Sequence, residues 1–575
     1  MVTIYENNNQ QVAGVPTNDD VNGNDSLKEE SSLEMGNPGN LSPNLEKFLN
    51  EIEKRVSELK TGDGPATQVS EVLGGLARMY ERIRTTVEYK GEHVLRRNAI
   101  ERMLRRLVWE QETVRSNIDT SKVAETLIKE LIWARYLPNG VVPKNKSREV
   151  EEVIEKYIYF LRNLDNVPTG VSASKMRTWM WGLASSEIED VVDPSYRELY
   201  VQLMYDWFVD YYKWTDTTLS EHDKEIQIYL AIHRAFPKSD DPIMRYHLLL
   251  KEFPNWRNAD KSEVNKLILQ FPSVYDEIEN HLSYPGRFSL YRRVQKHAAA
   301  FDIFHVISIL EKENLRGLVE DRKVFEEKVR DICESKYKQI KRRVSTGIVR
   351  SIIYIFLTKV LIAMLIEIPY EVFVYDDVRF LPLTINIILP SMIMWFIGLS
   401  IRVPGAKNTE TIISRLGSLV YKVEKKSIQP FSISKSGKNS SLAGLFAIFY
   451  AFMFILVFGT ITYFLTLLNF TVFAILIFFA FLSLVMLFAY RVRFNANQLK
   501  VEVNGESFSS HLASYLTLPF LNFGFYLSKG LAKINFFTIF LDFLIEAPLK
   551  SIIEIFEEWT SFLREKKEEV VEIPE

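Results

Sequence analysis

At 575 residues the chain has room for three or four ordinary domains, and a net charge of −3 over 70 basic and 73 acidic residues favours no polyanionic or polycationic partner. A single cysteine, Cys333, excludes an intrachain disulfide and suits a reducing compartment. The mean hydropathy of −0.04 hides a division: residues 1–345 have the composition of a soluble helical protein and 346–500 that of a membrane bundle.

The opening, MVTIYENNNQ, has neither a basic n-region nor an apolar stretch, so no cleavable signal peptide is expected and membrane insertion falls to an internal span. Residues 1–42 are rich in Asn, Asp, Gly, Ser and Pro, with Lys28 the only lysine. This composition predicts a disordered acidic tail. A charged helix is expected from Pro43 to about Lys60, followed by a linker to residue 68 built on Gly62, Gly64 and Pro65. Val72, Leu76, Met79, Ile83 and Val87, then Ile100, Met103, Leu104, Leu107 and Val108, recur at threes and fours, the pattern of amphipathic helices. A third helix begins near Ser121 and ends at Pro138-Asn139-Gly140. Further starts or breaks fall near Ser147, Ser174, Pro194, Ser220, Pro242, Ser262 and Gly286. Alternation flanked by hairpin turns is missing, so the expected fold is all-α: an N-terminal helical subdomain over 69–140 and a helical cytoplasmic domain over 141–314. Residues 315–345 read as one charged stalk helix running into the first apolar span, either packed against the domain or paired as a short coiled coil.

The fifty residues Ser441–Tyr490 carry no formal charge. A bilayer core of ~30 Å takes about 20 apolar residues, so this run amounts to two spans and a tight turn. Thr346–Ile368 and Leu381–Ile401 supply two more, giving a four-span bundle. Lys336, Lys338, Lys341, Arg342 and Arg343 precede the first span, whereas the connection Glu367–Phe380 carries Glu367, Glu371, Asp376 and Asp377 against Arg379 alone. The basic loop 402–440 holds eight bases against Glu410 and Glu424, and Arg491, Arg493 and Lys500 follow the fourth span. Positive flanks face the cytoplasm, so both termini are expected there, in a cell (cytoplasmic) membrane. Residues 491–553 are expected as interfacial amphipathic helices, because His511, Pro519 and Asn522 interrupt one apolar stretch and Ile534–Ile545 is too short to cross. Residues 554–575 form a charged tail.

The segments ARMYERIRTTVEYKGEHVLRRNAIERMLRR (Ala77–Arg106) and KINFFTIFLDFLIEAPLKSIIEIFEEWTSFLREKKEE (Lys533–Glu569) resemble the opening and the ending of an uncharacterised multi-pass membrane-protein family of Candidate Phyla Radiation (Patescibacteria-type) bacteria. The resemblance implies a membrane protein and brings no catalytic residue with it.

Few residues suggest chemistry. His297, Asp302 and His305 lack zinc-ligand spacing, and ordinary helix-face histidines explain them, so no metal site is expected. His222-Asp223 stands at a helix start, where an acid favours the dipole. Walker, GxGxxG and GxSxG motifs are absent; no cofactor and no familiar enzyme class is expected. Arg96, Arg97, Arg102, Arg105 and Arg106 interleave with Glu92, Glu101 and Glu110, which favours pairing along a solvated helix face over nucleic-acid binding. Tyr200, Trp207, Tyr211 and Trp214 fall at helical spacing and read as core, with an aromatic interface as the alternative. Lys359, midway along the first span, is the one full charge deep in the apolar segments, with Asn386 in the second span as its possible partner; a lysine snorkelling inward, without acidic partners, is the favoured account. The expected function is structural or interaction-based: a multi-pass protein of the lipid bilayer with a large cytoplasmic helical domain, meeting a protein partner or a second copy through that domain or the stalk. A transporter or channel subunit is the alternative.

Overall fold

A computed structural model of the chain describes residues 40–60, 67, 69, 92–114, 118–164, 171–193, 197–376, 378–423, 428–433, 443–501, 508–533, 559 and 562. It is all-α apart from two three-residue strands, and it divides into two compact units. One, the helical unit, comprises Glu46–Gln295, Ile428–Ser434 and Phe536–Glu575; the other, the apolar unit, comprises Met1–Leu45, Lys296–Ser427 and Lys435–Asn535.

Up to Leu310 the elements are α1 (Pro43–Lys60), α2 (Glu92–Val114), α3 (Thr120–Trp133), α4 (Asn145–Leu164), α5 (Ala173–Val192), α6 (Arg197–Tyr211), β1 (Tyr212–Trp214), α7 (Glu221–Ala235), α8 (Asp241–Glu252), α9 (Lys261–Leu282) and α10 (Arg287–Leu310). Polar caps set several starts. Asp119, Ser220, Asp240 and Asp260 each accept the backbone N–H three residues on, satisfying a donor that the first helical turn leaves open. The starts expected between Ser147 and Gly286 fall within three residues of those observed. One core draws on α2 to α5 and α7 to α9, so the residues on either side of Pro138–Lys146, expected to divide two domains, share a single apolar interior. Phe271 lies edge-on to Phe160 and Trp179 at its centre, with ring centroids 5.5 and 5.4 Å apart.

Beyond Leu310 come α11 (Leu315–Glu320), α12 (Arg322–Ile362), a π-helical turn (Ala363–Glu367), α13 (Ile368–Tyr375), α14 (Phe380–Ser400), α15 (Ala406–Val420), β2 (Gln429–Phe431), α16 (Ala443–Leu467), α17 (Val472–Ala496) and α18 (Phe508–Lys533). Among the described residues, four helices are long and apolar enough to cross a membrane: Arg322–Tyr375, Phe380–Ser400, Ala447–Leu467 and Val472–Ala496. Their outward faces carry exposed Leu357, Phe396, Phe452, Ile455 and Leu476, an apolar exterior far more extensive than water-soluble surfaces bear. Inside, Ile355, Met394 and Val485 form one cluster and Phe458, Phe478, Phe479 and Phe520 another.

Several expectations are corrected. The stalk is not one helix: Asp321, in extended backbone, separates α11 from α12 and caps the latter by accepting from Lys323 N and Val324 N. The first apolar helix does not end at Ile368 but continues to Tyr375, so Glu367 and Glu371 belong to it rather than to a connection. The basic loop 402–440 contains a helix, α15, and a strand, β2. The tail expected over 1–42 lies outside the described residues as far as 39, but Leu41 bridges to Tyr421 and Ser42 N donates to Val420 O at 2.8 Å. Of the expected interfacial segment 491–553, α18 packs along α17 and α16. Phe520 joins their core, Asn522 Nδ2 donates to Tyr450 Oη at 2.8 Å, and a Cβ on Gly524 would stand 2.4 Å from Ser483 O. Most of the ending Lys533–Glu569 lies outside the described residues.

Only glycine admits that approach at 524, because the obstructing atom is backbone. Gly524→Ala is expected to lower the thermal midpoint of the detergent-solubilised protein by an overpacking penalty of about 1–3 kcal/mol. Gly530→Ala, with nothing within 4 Å, is the matched control and should leave it unchanged.

Candidate functional site

The apolar unit holds a polar cluster that its helices bury completely. Lys359, near the end of α12, is 0 % exposed, and its Nζ lies 2.5 Å from Glu367 Oε1. The other carboxylate oxygen of Glu367 accepts from Asn386 Nδ2 of α14 at 2.9 Å, and the same amide reaches Ala474 O of α17 at 3.5 Å. The Phe481 ring lies 4.8 Å from the ammonium and adds a cation–π contact. Three apolar helices therefore meet on one ion pair.

The π turn makes this pairing possible. An α-helix advances about 100° per residue, so eight residues overshoot two full turns by roughly 80° and would carry Glu367 off the lysine's face. A turn closing on the fifth residue is wider and absorbs the excess, returning Glu367 above Lys359. Glu371, also buried, follows one turn later and accepts Arg379 N at 3.0 Å, while Arg379 Nη1 donates to Asn469 O at 2.7 Å. Asn386 Oδ1, Ser391 Oγ and Ser483 Oγ are buried and make no hydrogen bond among the described residues.

The lysine thus has an acidic partner and does not snorkel. A charge at this depth costs at least ~2.5–3.5 kcal/mol when alone, and the carboxylate beside it offsets that cost. Sequence reading named Lys359 and Asn386 and assigned Glu367, which joins them, to a connection. The signal available was the acid itself, two turns on, at the point where the span was taken to end.

Other polar candidates resolve into internal pairing. Arg96 bridges Glu189 and Asp193, Arg97 pairs with Glu101 and Asp240, and Arg106 with Glu110 and Glu130. Arg96 and Arg97 are buried, so this is not the solvated face expected. His297 Nδ1 faces Arg415 Nη1 at 3.1 Å, a cation where a metal would need room. Asp223 N is held by the Ser220 cap, the helix-start role expected for that segment. Tyr200, Trp207, Tyr211 and Trp214 are buried in the helical unit. Sequence reading missed a charged network there: Lys156 Nζ sits 2.5 Å from Glu187 Oε1, while Tyr157 Oη and Trp256 Nε1 donate to Oε2 at 2.9 and 3.1 Å.

The class defined by these features is a membrane-protein type: four apolar helices of spanning length joined to a helical unit. No family model, curated protein or solved structure matches the chain.

Lys359→Met alone strands a buried carboxylate and is expected to cost about 3–5 kcal/mol, seen as a lower thermal midpoint in detergent. Lys359→Met with Glu367→Leu removes both charges and should restore the midpoint to at least the parent's. Equal behaviour of the single and double variants would show that the pair does not hold the bundle.

Proposed function

We propose that the chain is a structural or interaction protein of a bacterial cytoplasmic membrane, crossing it four times and carrying its helical unit on the cytoplasmic side. The observation that carries this reading is the parallel pairing of β1 with β2, Trp214 opposite Phe431. Around it, Thr215 N donates to Phe431 O at 2.9 Å, and Asp216 Oδ2 accepts Ile433 N at 2.9 Å and Trp214 Nε1 at 2.7 Å. Strand β2 belongs to the basic connection between the second and third apolar helices. Its incorporation into the helical unit supports an even number of crossings between them, on the side that the lysines and arginines favour. The chain passes between the units repeatedly, an arrangement suited to fixing a domain at a membrane. A protein partner, or a second copy, would meet the helical unit.

Single cysteines introduced in a Cys333→Ser background test the topology. Asp376 and Asn469, at turns with positive φ, should react with an impermeant maleimide in intact cells. Cysteines at Ser220 and Lys422 should react only after permeabilisation. External labelling at Lys422 would overturn the four-span reading.

The buried cluster favours a second reading, a transporter or channel subunit, because unbonded Asn386 Oδ1, Ser391 Oγ and Ser483 Oγ lie buried in the same unit. Affinity capture of the full chain from its host should return a stoichiometric partner. Ion or solute flux in liposomes that disappears in the Lys359→Met/Glu367→Leu protein would instead put transport ahead.

A further inference from the structure

Two helices of the helical unit aim histidines at one carboxylate oxygen carried by a third. Glu198 opens α6, His233 lies in the last turn of α7 and His247 in the middle of α8. His233 Nε2 stands 3.4 Å from Glu198 Oε2 and His247 Nδ1 stands 3.5 Å from the same oxygen; the three donor atoms lie within 4.8 Å of one another. Neither separation is a hydrogen bond, whose N–H···O distance is about 2.7–3.2 Å. Glu198 Oε2 and His233 Nε2 are buried and form no hydrogen bond among the described residues, and His233 is 2 % exposed.

We propose that Glu198, His233 and His247 bind a divalent transition metal of the zinc class, with a fourth position open to water. Ligand atoms about 2.0–2.1 Å from a tetrahedral zinc are separated from one another by about 3.3–3.4 Å, close to the two separations found. The other polar atoms of Glu198 and His233 are held as those of metal ligands usually are. Tyr229 Oη donates to Glu198 Oε1 at 2.7 Å, which leaves Oε2 facing the histidines. Ser239 Oγ lies 3.1 Å from His233 Nδ1, and in the tautomer that donates to it the Nε2 lone pair points at the site. A cavity of about 30 Å³ adjoins the three residues and is also lined by His93, Asp190, Arg197 and Tyr246. A water needs about 10–15 Å³, so an ion and its water fit. Buried His93 Nε2, likewise without a hydrogen bond among the described residues, lines the same cavity.

The nearby cations have partners of their own. Arg197 is engaged by Glu189 and Arg257 by Asp190, each at 2.5 Å, and Lys251 lies over the Tyr229 ring at 3.7 Å. Two histidines and one carboxylate with an open position form a donor set that zinc and ferrous iron both accept; the two separations close to tetrahedral spacing favour zinc.

The test uses the full-length protein in detergent, stripped with chelator and titrated with Zn²⁺ alone, and separately with Co²⁺ as a spectroscopic probe. One equivalent of Zn²⁺ per chain should bind, raise the thermal midpoint and displace Co²⁺ that shows tetrahedral visible absorption. Glu198→Gln, nearly isosteric, and His247→Ala should each weaken Zn²⁺ binding by at least about 100-fold. Tyr229→Phe leaves all three ligands in place and should weaken it about 10–100-fold, a readout that survives if a ligand variant fails to fold. Absence of Zn²⁺ binding by the parent, or an unchanged affinity in both Glu198→Gln and Tyr229→Phe, would overturn the assignment.

Discussion

A lysine ammonium enclosed by apolar helices must be neutralised where it stands, because neither water nor headgroups reach a side chain that is fully buried. That requirement shapes the apolar unit. The first long helix has to continue past Ile362 to bring a carboxylate back to the amine, and it has to widen by a π turn for the carboxylate to arrive on the correct face. The second oxygen of Glu367 then fixes α14 through Asn386, and the same amide touches the backbone of α17 at Ala474. Apolar packing alone specifies helix register weakly among Phe, Leu and Ile side chains. One charged triad of this kind admits a single arrangement of the three helices.

The helical unit uses the same device. Lys156 and Glu187 are buried together, and the tyrosine and indole donors on the free carboxylate oxygen complete its valences. Arg96 and Arg97 likewise find carboxylates on neighbouring helices. Glu198 Oε2 and His233 Nε2 differ from these pairs in making no hydrogen bond among the described residues.

Much of the architecture was legible in the sequence. Helix starts in the helical unit announce themselves by Asp or Ser before an apolar 3–4 repeat, and Asp240 followed by Pro242 is a clear instance. The uncharged run ending at Tyr490 left no reading other than membrane spans, and the aromatic positions from Tyr200 to Trp214 matched core spacing and are buried. What was hidden depends on tertiary geometry. Glu367 looked like the acid that ends a span because α-helical spacing sets it off the face of Lys359, and nothing local marks a π turn. Strands of three residues offer no alternation to read, and Pro430 in β2 suggests a breaker; it is tolerated because a two-stranded ladder has only edges. Glu198, His233 and His247 come from three separate helices with no motif spacing, so only the packing of α6, α7 and α8 brings them together.

The pairing of β1 with β2 also orders events in time. Thr215 and the Phe431 carbonyl that it bonds are 216 residues apart, and two of the apolar helices are synthesised between them. A nascent helical unit leaves the ribosome with Trp214 and Phe208 lacking the Phe431 ring that both contact in the finished protein. Its aromatic edge is completed only after those two helices have been synthesised. The helical unit is in this way finished last at the edge that β2 closes, and a chain cut short before Gln429 would keep that edge open.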